Sequence, residues 1–166
     1  MKNILSMNFF NRQKASADSA TSASPAIDIS GVFKGLSVLV VDDSRTQLYA
    51  MEKMLNAAGV TTITAENGKQ GILMARHKRP DVILMDIVMP EINGFQATRY
   101  LSRHVDTAHI PIIIVSGSNQ ESDKAWGLKL GAREFMHKPV NKEELFTKIE
   151  LLMTERQQAE PAKHAG

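Results

Sequence analysis

The sequence predicts a doubly wound α/β domain, a parallel sheet with helices on both faces. Three observations carry that prediction. From Leu36 onward, short apolar runs alternate five times with amphipathic stretches; the runs are LSVLVV, VTTITA, DVILM, IPIIIV and REFMH. The first, third and fourth are almost unbroken Val, Ile, Leu and Met, the composition of strands covered on both sides. Each intervening stretch opens with a Ser or Asn three residues before a Gln or Glu, a pairing that satisfies the free amides of a first helical turn. Strand and helix in strict alternation give right-handed crossovers and a parallel sheet.

The elements follow in order. Strand one spans Leu36–Val41, and its helix starts at the Ser44–Gln47 pair, buries Leu48, Met51 and Leu55, and stops near Gly59. Residues 60–65 are more polar, as suits a strand near the sheet edge, and Asn67–Gln70 starts the second helix. Strand three precedes the Asn93–Gln96 pair, and strand four precedes Ser118–Glu121, with Gly131 closing the fourth helix. The more polar run at 133–137 suits the other edge, and Asn141–Glu144 starts a last helix that buries Leu145, Ile149 and Leu152. The nine methionines read mostly as packing.

Outside this unit the composition changes. Residues 15–26, ASADSATSASPA, are too poor in apolar side chains to order themselves, so residues 1–34 are expected to be a disordered extension. The alternative is a weak membrane or partner anchor at Ile4–Phe10, whose apolar run is too short and broken for a signal peptide. The domain is placed at 35–154, and 155–166 is expected to be a disordered tail. Between Leu36 and Met153 there are 14 Lys and Arg against 14 Asp and Glu, so no basic stripe marks a nucleic-acid binder. No run is long enough for stable membrane insertion, and the absence of cysteine excludes disulfides and fits a cytoplasmic location.

Chemistry-bearing residues gather just after the strands. Asp42 and Asp43 close strand one, and Asp86, 43 residues beyond Asp43, closes strand three. Ser116 follows strand four, and Lys138 follows strand five. Each has a plain structural reading: acids at a helix start, a turn serine, a turn lysine. Scatter over both ends of the sheet is what those readings expect, whereas these residues all fall at the C-terminal edge, where α/β folds place their sites. Three acids there repel one another unless a hard cation such as Mg²⁺ neutralises them. Acids for a metal, a hydroxyl and an ammonium are the equipment for handling a phosphoryl group.

At these positions the chain resembles the CheY-like receiver domain of two-component response regulators. The resemblance rests on DD at 42–43, D-x-x-M-P-x-x-x-G at 86–94, Ser116-Gly117 and Phe135-x-x-Lys138-Pro139, and covers Leu36 to about Met153. It implies the flavodoxin/CheY-like strand order 2-1-3-4-5. It implies Asp86 as phospho-acceptor, with Mg²⁺ held by Asp42, Asp43, Asp86 and the backbone carbonyl of Val88. Ser116 becomes the hydroxyl that moves to the phosphoryl group, Lys138 the lysine that pairs with it, and Phe135 the aromatic switch. The family pattern also makes the Lys138–Pro139 peptide cis. Longer stretches, DIVMPEINGFQATR at 86–99 and DKAWGLKLGAREFMHKPV at 123–140, are similar to stand-alone receivers of type IV pilus (twitching motility) chemosensory systems.

The expected function is therefore a phosphorylation-controlled switch or phosphate sink, an enzyme only toward its own phosphorylation and dephosphorylation. Its implied partners are a CheA-like histidine kinase and a downstream motility protein or sibling receiver, and the chain is expected to be a monomer. An aspartyl-nucleophile phosphohydrolase is the alternative, but those enzymes carry D-x-D on the first strand. A flavodoxin-like FMN protein would need a Ser/Thr/Gly-rich loop where this chain has DDSRTQ. Trp126 is expected to pack against the neighbouring strand and helix, with a partner anchor as its alternative.

Overall fold

The computed structural model describes residues 31–159. The Ile4–Phe10 run, the Ala/Ser tract and residues 160–166 lie outside the described residues. Five strands, β1 (Ser37–Val41), β2 (Thr61–Ala65), β3 (Val82–Asp86), β4 (Ile112–Ser116) and β5 (Glu134–His137), alternate with five helices. The helices are α1 (Arg45–Ala57), α2 (Gly68–Lys78), α3 (Gly94–Arg103), α4 (Glu121–Leu130) and α5 (Lys142–Ala159). The strands form one parallel sheet in the order β2-β1-β3-β4-β5.

The two-residue period of a strand divides the apolar runs between two cores. Val38, Val40, Val82, Leu84, Ile113, Val115 and Met136 pack with Leu48, Met51 and Leu55 of α1 and Leu145, Ile149 and Leu152 of α5. Their neighbours Leu39, Val41, Ile83, Met85, Ile112, Ile114 and Phe135 face the other way, with Ala75 of α2 and Ala97 and Leu101 of α3. Continuous hydrophobicity in the strands is thus the direct result of covering both faces.

Four of the five helix starts match the sequence reading. Ser44, Asn67, Asn93 and Asn141 side chains accept from the amides of Gln47, Gln70, Gln96 and Glu144, and Asn93–Gln96 is bonded in both directions. The Ser118–Glu121 pair does not form. The helix begins after Gln120, and the Ser118 hydroxyl accepts from the Gln120 amide at 3.2 Å instead. Gly59 and Gly131 adopt positive φ where α1 and α4 end.

The folded unit crosses both boundaries placed from sequence. Phe33, assigned to the extension, is buried and lies on Phe146 of α5 with ring centroids 4.9 Å apart. One aromatic residue next to an Ala/Ser tract carries no periodic signal, so its burial was invisible to composition. At the other end α5 runs to Ala159, held past residue 154 by Glu155–Arg133 at 3.1 Å and Arg156–Asp81 at 3.4 Å. Phe33→Ala should therefore cost about 3 kcal/mol, roughly 10 °C in melting temperature for a domain of this size. Thermal denaturation checks it, and truncation of residues 1–34 should produce the same loss, where composition alone expects none.

Trp126 does not pack inward. It is 49% exposed, with Lys129 Nζ 5.7 Å from its ring centre, because α4 turns the adjacent Gly127 toward the sheet. A Cβ at Gly127 would press on Ile114, so the helix sits too close there for a larger side chain, and Trp126 is carried round to solvent.

Candidate functional site

Asp42 and Asp86 continue the even-numbered series of β1 and β3 that faces α1 and α5, and Lys138 continues the same series of β5. One face of the sheet therefore delivers all three to one spot beyond the strand ends. The Lys138 ammonium lies 3.0 Å from Asp42 Oδ2 and 3.1 Å from Asp86 Oδ1, both carboxylates being almost fully buried. Asp43, exposed, brings an oxygen within 4.8 Å of an oxygen of each of the other two acids. The Asp42 Oδ1 accepts from the Ser44 amide at 2.9 Å, which locks that side chain at the head of α1.

The charges do not balance. Three carboxylates face one ammonium, leaving two negative charges in a partly dry pocket. Burial pushes the Asp86 carboxyl above the usual carboxylate range, the Asp42 charge pushes it further, and Lys138 only partly offsets both. Burial alone would lower the Lys138 ammonium, but its bonds to Asp42 and Asp86 outweigh that and hold it above the usual lysine range. An all-oxygen donor set with residual negative charge fits a hard divalent cation.

The remaining sequence-predicted residues are placed less uniformly. Ser116 ends β4, buried, on the opposite-facing series, and its hydroxyl accepts from the Ser118 amide at 3.0 Å. Val88 lies in the loop after Asp86 with its side chain exposed. The Lys138–Pro139 peptide is cis. The Phe135 ring, the aromatic switch that the resemblance implies, is buried here, below Gly127 and edge-on to His137 at 5.2 Å.

Gly94 is the site residue whose role the sequence reading missed, although its motif was in view. It opens α3 and donates to the Ile87 carbonyl at 2.8 Å, and a Cβ there would run into the Asp86 carbonyl. A glycine immediately after an N-cap asparagine, where most residues serve as well, was the available signal.

This fold and this charged edge define a phosphoryl-handling signalling domain, and the comparisons agree. The model of the response regulator receiver domain matches residues 38–150, and the chain belongs to that family. Receiver domains act as phosphorylation-dependent switches. Protein PilH of Pseudomonas aeruginosa is 48% identical over 116 residues, which cover 70% of this chain and 96% of PilH. Protein PilG of the same species is 33% identical over 115 residues, 69% of this chain and 85% of PilG. Among solved structures, the receiver domain of sensor histidine kinase PA1611 from Pseudomonas aeruginosa superposes with a TM-score of 0.67 at 27% identity. That match covers 72% of this chain and 98% of the other, and the PA1611 domain has a magnesium ion coordinated in its active site cleft. Among the described residues, no helix is long and apolar enough to cross a membrane.

Proposed function

We propose that this receiver accepts a phosphoryl group on Asp86 from a CheA-like histidine kinase and serves type IV pilus motility as a switch or phosphate sink. The observation that carries this reading is the Lys138 ammonium bridging Asp42 and Asp86 inside the three-acid cluster. An Asp86 oxygen attacks the phosphorus of a phosphohistidine, and the new O–P bond forms as the P–N bond breaks. The imidazole leaves with that electron pair and takes up a proton. Lys138 holds the attacking carboxylate in place and faces the incoming negative charge. Asp42, Asp43, Asp86 and the Val88 carbonyl would hold Mg²⁺, which would supply charge neutralisation for phosphoryl transfer. The same residues serve hydrolysis of the phosphoryl-aspartate, the only catalysis assigned to the chain, in the cytoplasm.

Ser116 and Phe135 form the readout. In the turn the Ser116 oxygen accepts from the Ser118 amide, so a phosphoryl group beside it offers an acceptor for the hydroxyl proton, which that bond does not use. With Phe135 buried already, the ring reports on α4 through its contact below Gly127 rather than by entering an empty space. The 48% identity to PilH, over nearly all of that protein, supports the motility assignment. Incubation with acetyl phosphate and Mg²⁺, followed by mass mapping, should place one phosphoryl group on Asp86; label on any other residue overturns the reading. Phosphotransfer from a pilus-system kinase should outpace transfer from unrelated kinases.

Asp43→Ala should weaken Mg²⁺ affinity by tenfold or more and slow both phosphorylation and dephosphorylation, because a ligand is lost from both transition states. Calorimetric Mg²⁺ titration checks the first part. An unchanged affinity would reduce Asp43 to a favourable charge at the start of α1.

A further inference from the structure

Seven arginines fall within the described residues, and five of them face a carboxylate at 4.0 Å or less. Arg45 pairs with Glu66, Arg76 and Arg79 with Asp106, Arg133 with Glu155, and Arg156 with Asp81. Arg99 and Arg103 are the exceptions, both exposed and with no carboxylate at that distance. They sit four residues apart, one helical turn, on the outward face of α3. Between them lies Tyr100, 42% exposed and stacked on His104 with ring centroids 5.5 Å apart. With Gln96 these residues line a shallow groove of about 420 Å³ along the helix.

The nearest acid cannot neutralise this face. Asp106 already faces Arg76, Arg79 and the His104 ring. Two guanidinium groups without a carboxylate partner thus stand together on one helix face, where the other described arginines are each paired. Arginine is the side chain best suited to grip carboxylates in a fixed, two-pronged geometry. An aromatic ring between two such groups is the composition of a protein-binding centre, where a flat apolar surface is flanked by charge. Two cations are too few to hold a nucleic-acid backbone, and a recess one helix long suits an extended or helical segment better than a flat bilayer.

We propose that the outward face of α3 docks an acidic segment of a partner protein. Arg99 and Arg103 pair with carboxylates spaced one helical turn apart, and Tyr100 packs under an apolar side chain between them. The surface is separate from the phosphoryl site, so its occupation needs neither Asp86 nor metal.

The test uses the full chain and a fluorescein-labelled peptide with glutamates one turn apart flanking a leucine, read by anisotropy at low and physiological salt. Wild type should bind it and should not bind the matching lysine peptide. Arg99→Glu/Arg103→Glu should weaken binding at least tenfold, Arg99→Gln/Arg103→Gln by an intermediate factor, and Tyr100→Ala about threefold. Lys129→Glu, a reversal on α4, should change nothing, and all variants should still take phosphate from acetyl phosphate at the wild-type rate. On peptide addition, amide shifts should cluster at 96–104. Equal affinity in the charge-reversed variant overturns the proposal. So does equal loss in Lys129→Glu, which would mean charge attraction without a site. Arginine-dependent sedimentation with phosphatidylglycerol vesicles in place of peptide binding would assign the face to lipid, and arginine-dependent dimers in ultracentrifugation would assign it to a second copy.

Discussion

Asp86→Asn should abolish phosphorylation and, at the same time, raise the melting temperature of the metal-free domain. The amide keeps the shape of the side chain but is no nucleophile, so label from acetyl phosphate or a kinase should fall below detection. The stability gain follows from the charge imbalance. Asp86 holds its proton more tightly in the folded chain than in the unfolded one, because burial and Asp42 oppose its ionisation. Its ionisation therefore works against the native state. That penalty is absent in acid, grows as pH rises from the ordinary carboxylate range through the raised folded value, and is complete above it. The variant carries no such titration, so its advantage over wild type should open across that window and be largest near neutrality. Lys138 keeps Asp42 as a partner, and its own contribution, present below the ordinary lysine range, is constant there. The gain should be a few degrees, at roughly 4 °C per kcal/mol. Added Mg²⁺ should stabilise wild type more than the variant, since it binds the native cluster and relieves the same repulsion. Thermal melts at several pH values, with and without Mg²⁺, check each part. A variant no more stable than wild type at neutral pH would mean that Lys138 already offsets the imbalance.

Gly94→Ala should be the most damaging single methyl addition near the site. The new Cβ would meet the Asp86 carbonyl and come within 2.8 Å of the Ile87 Cα, both main-chain atoms that cannot swing aside. Either α3 moves outward or the β3–α3 loop distorts, and both options cost packing, on the order of 3 kcal/mol. The hydrogen bond from the Gly94 amide to the Ile87 carbonyl would be strained with it. Since the displaced carbonyl belongs to Asp86, the proposed phospho-acceptor, surviving protein should also phosphorylate more slowly, by tenfold or more. Urea denaturation and an acetyl phosphate time course measure the two effects. Wild-type values for both would show that the loop yields freely.

The acids and the lysine were legible in the sequence because each is a local event, a charged residue where an apolar run stops. The parity of the strands then brings Asp42, Asp86 and Lys138 to one side without any further information. Partners set by tertiary distance were not legible. Nothing near Phe33 announces Phe146, 113 positions away. Trp126 looked like core because tryptophans usually are, but Gly127 beside it decides how close α4 lies to the sheet. Arg99 and Arg103 read as an ordinary polar helix face, and they stand apart only once every other described arginine is seen to have an acid. The Ser118–Glu121 pair failed for a related reason: Ser118 is claimed by the turn that also occupies Ser116.

The strand order has a consequence for the chain as it leaves the ribosome. β1 is made first yet lies between β2 and β3, so its pairing is incomplete until residue 86 has emerged. Asp42, Asp43 and Asp86 are then all available to meet, while the lysine that answers them lies 52 residues further along the chain. The acids of the site therefore precede their counter-charge along the chain. β5, which brings that ammonium to Asp42 and Asp86, closes the sheet at the edge opposite β2.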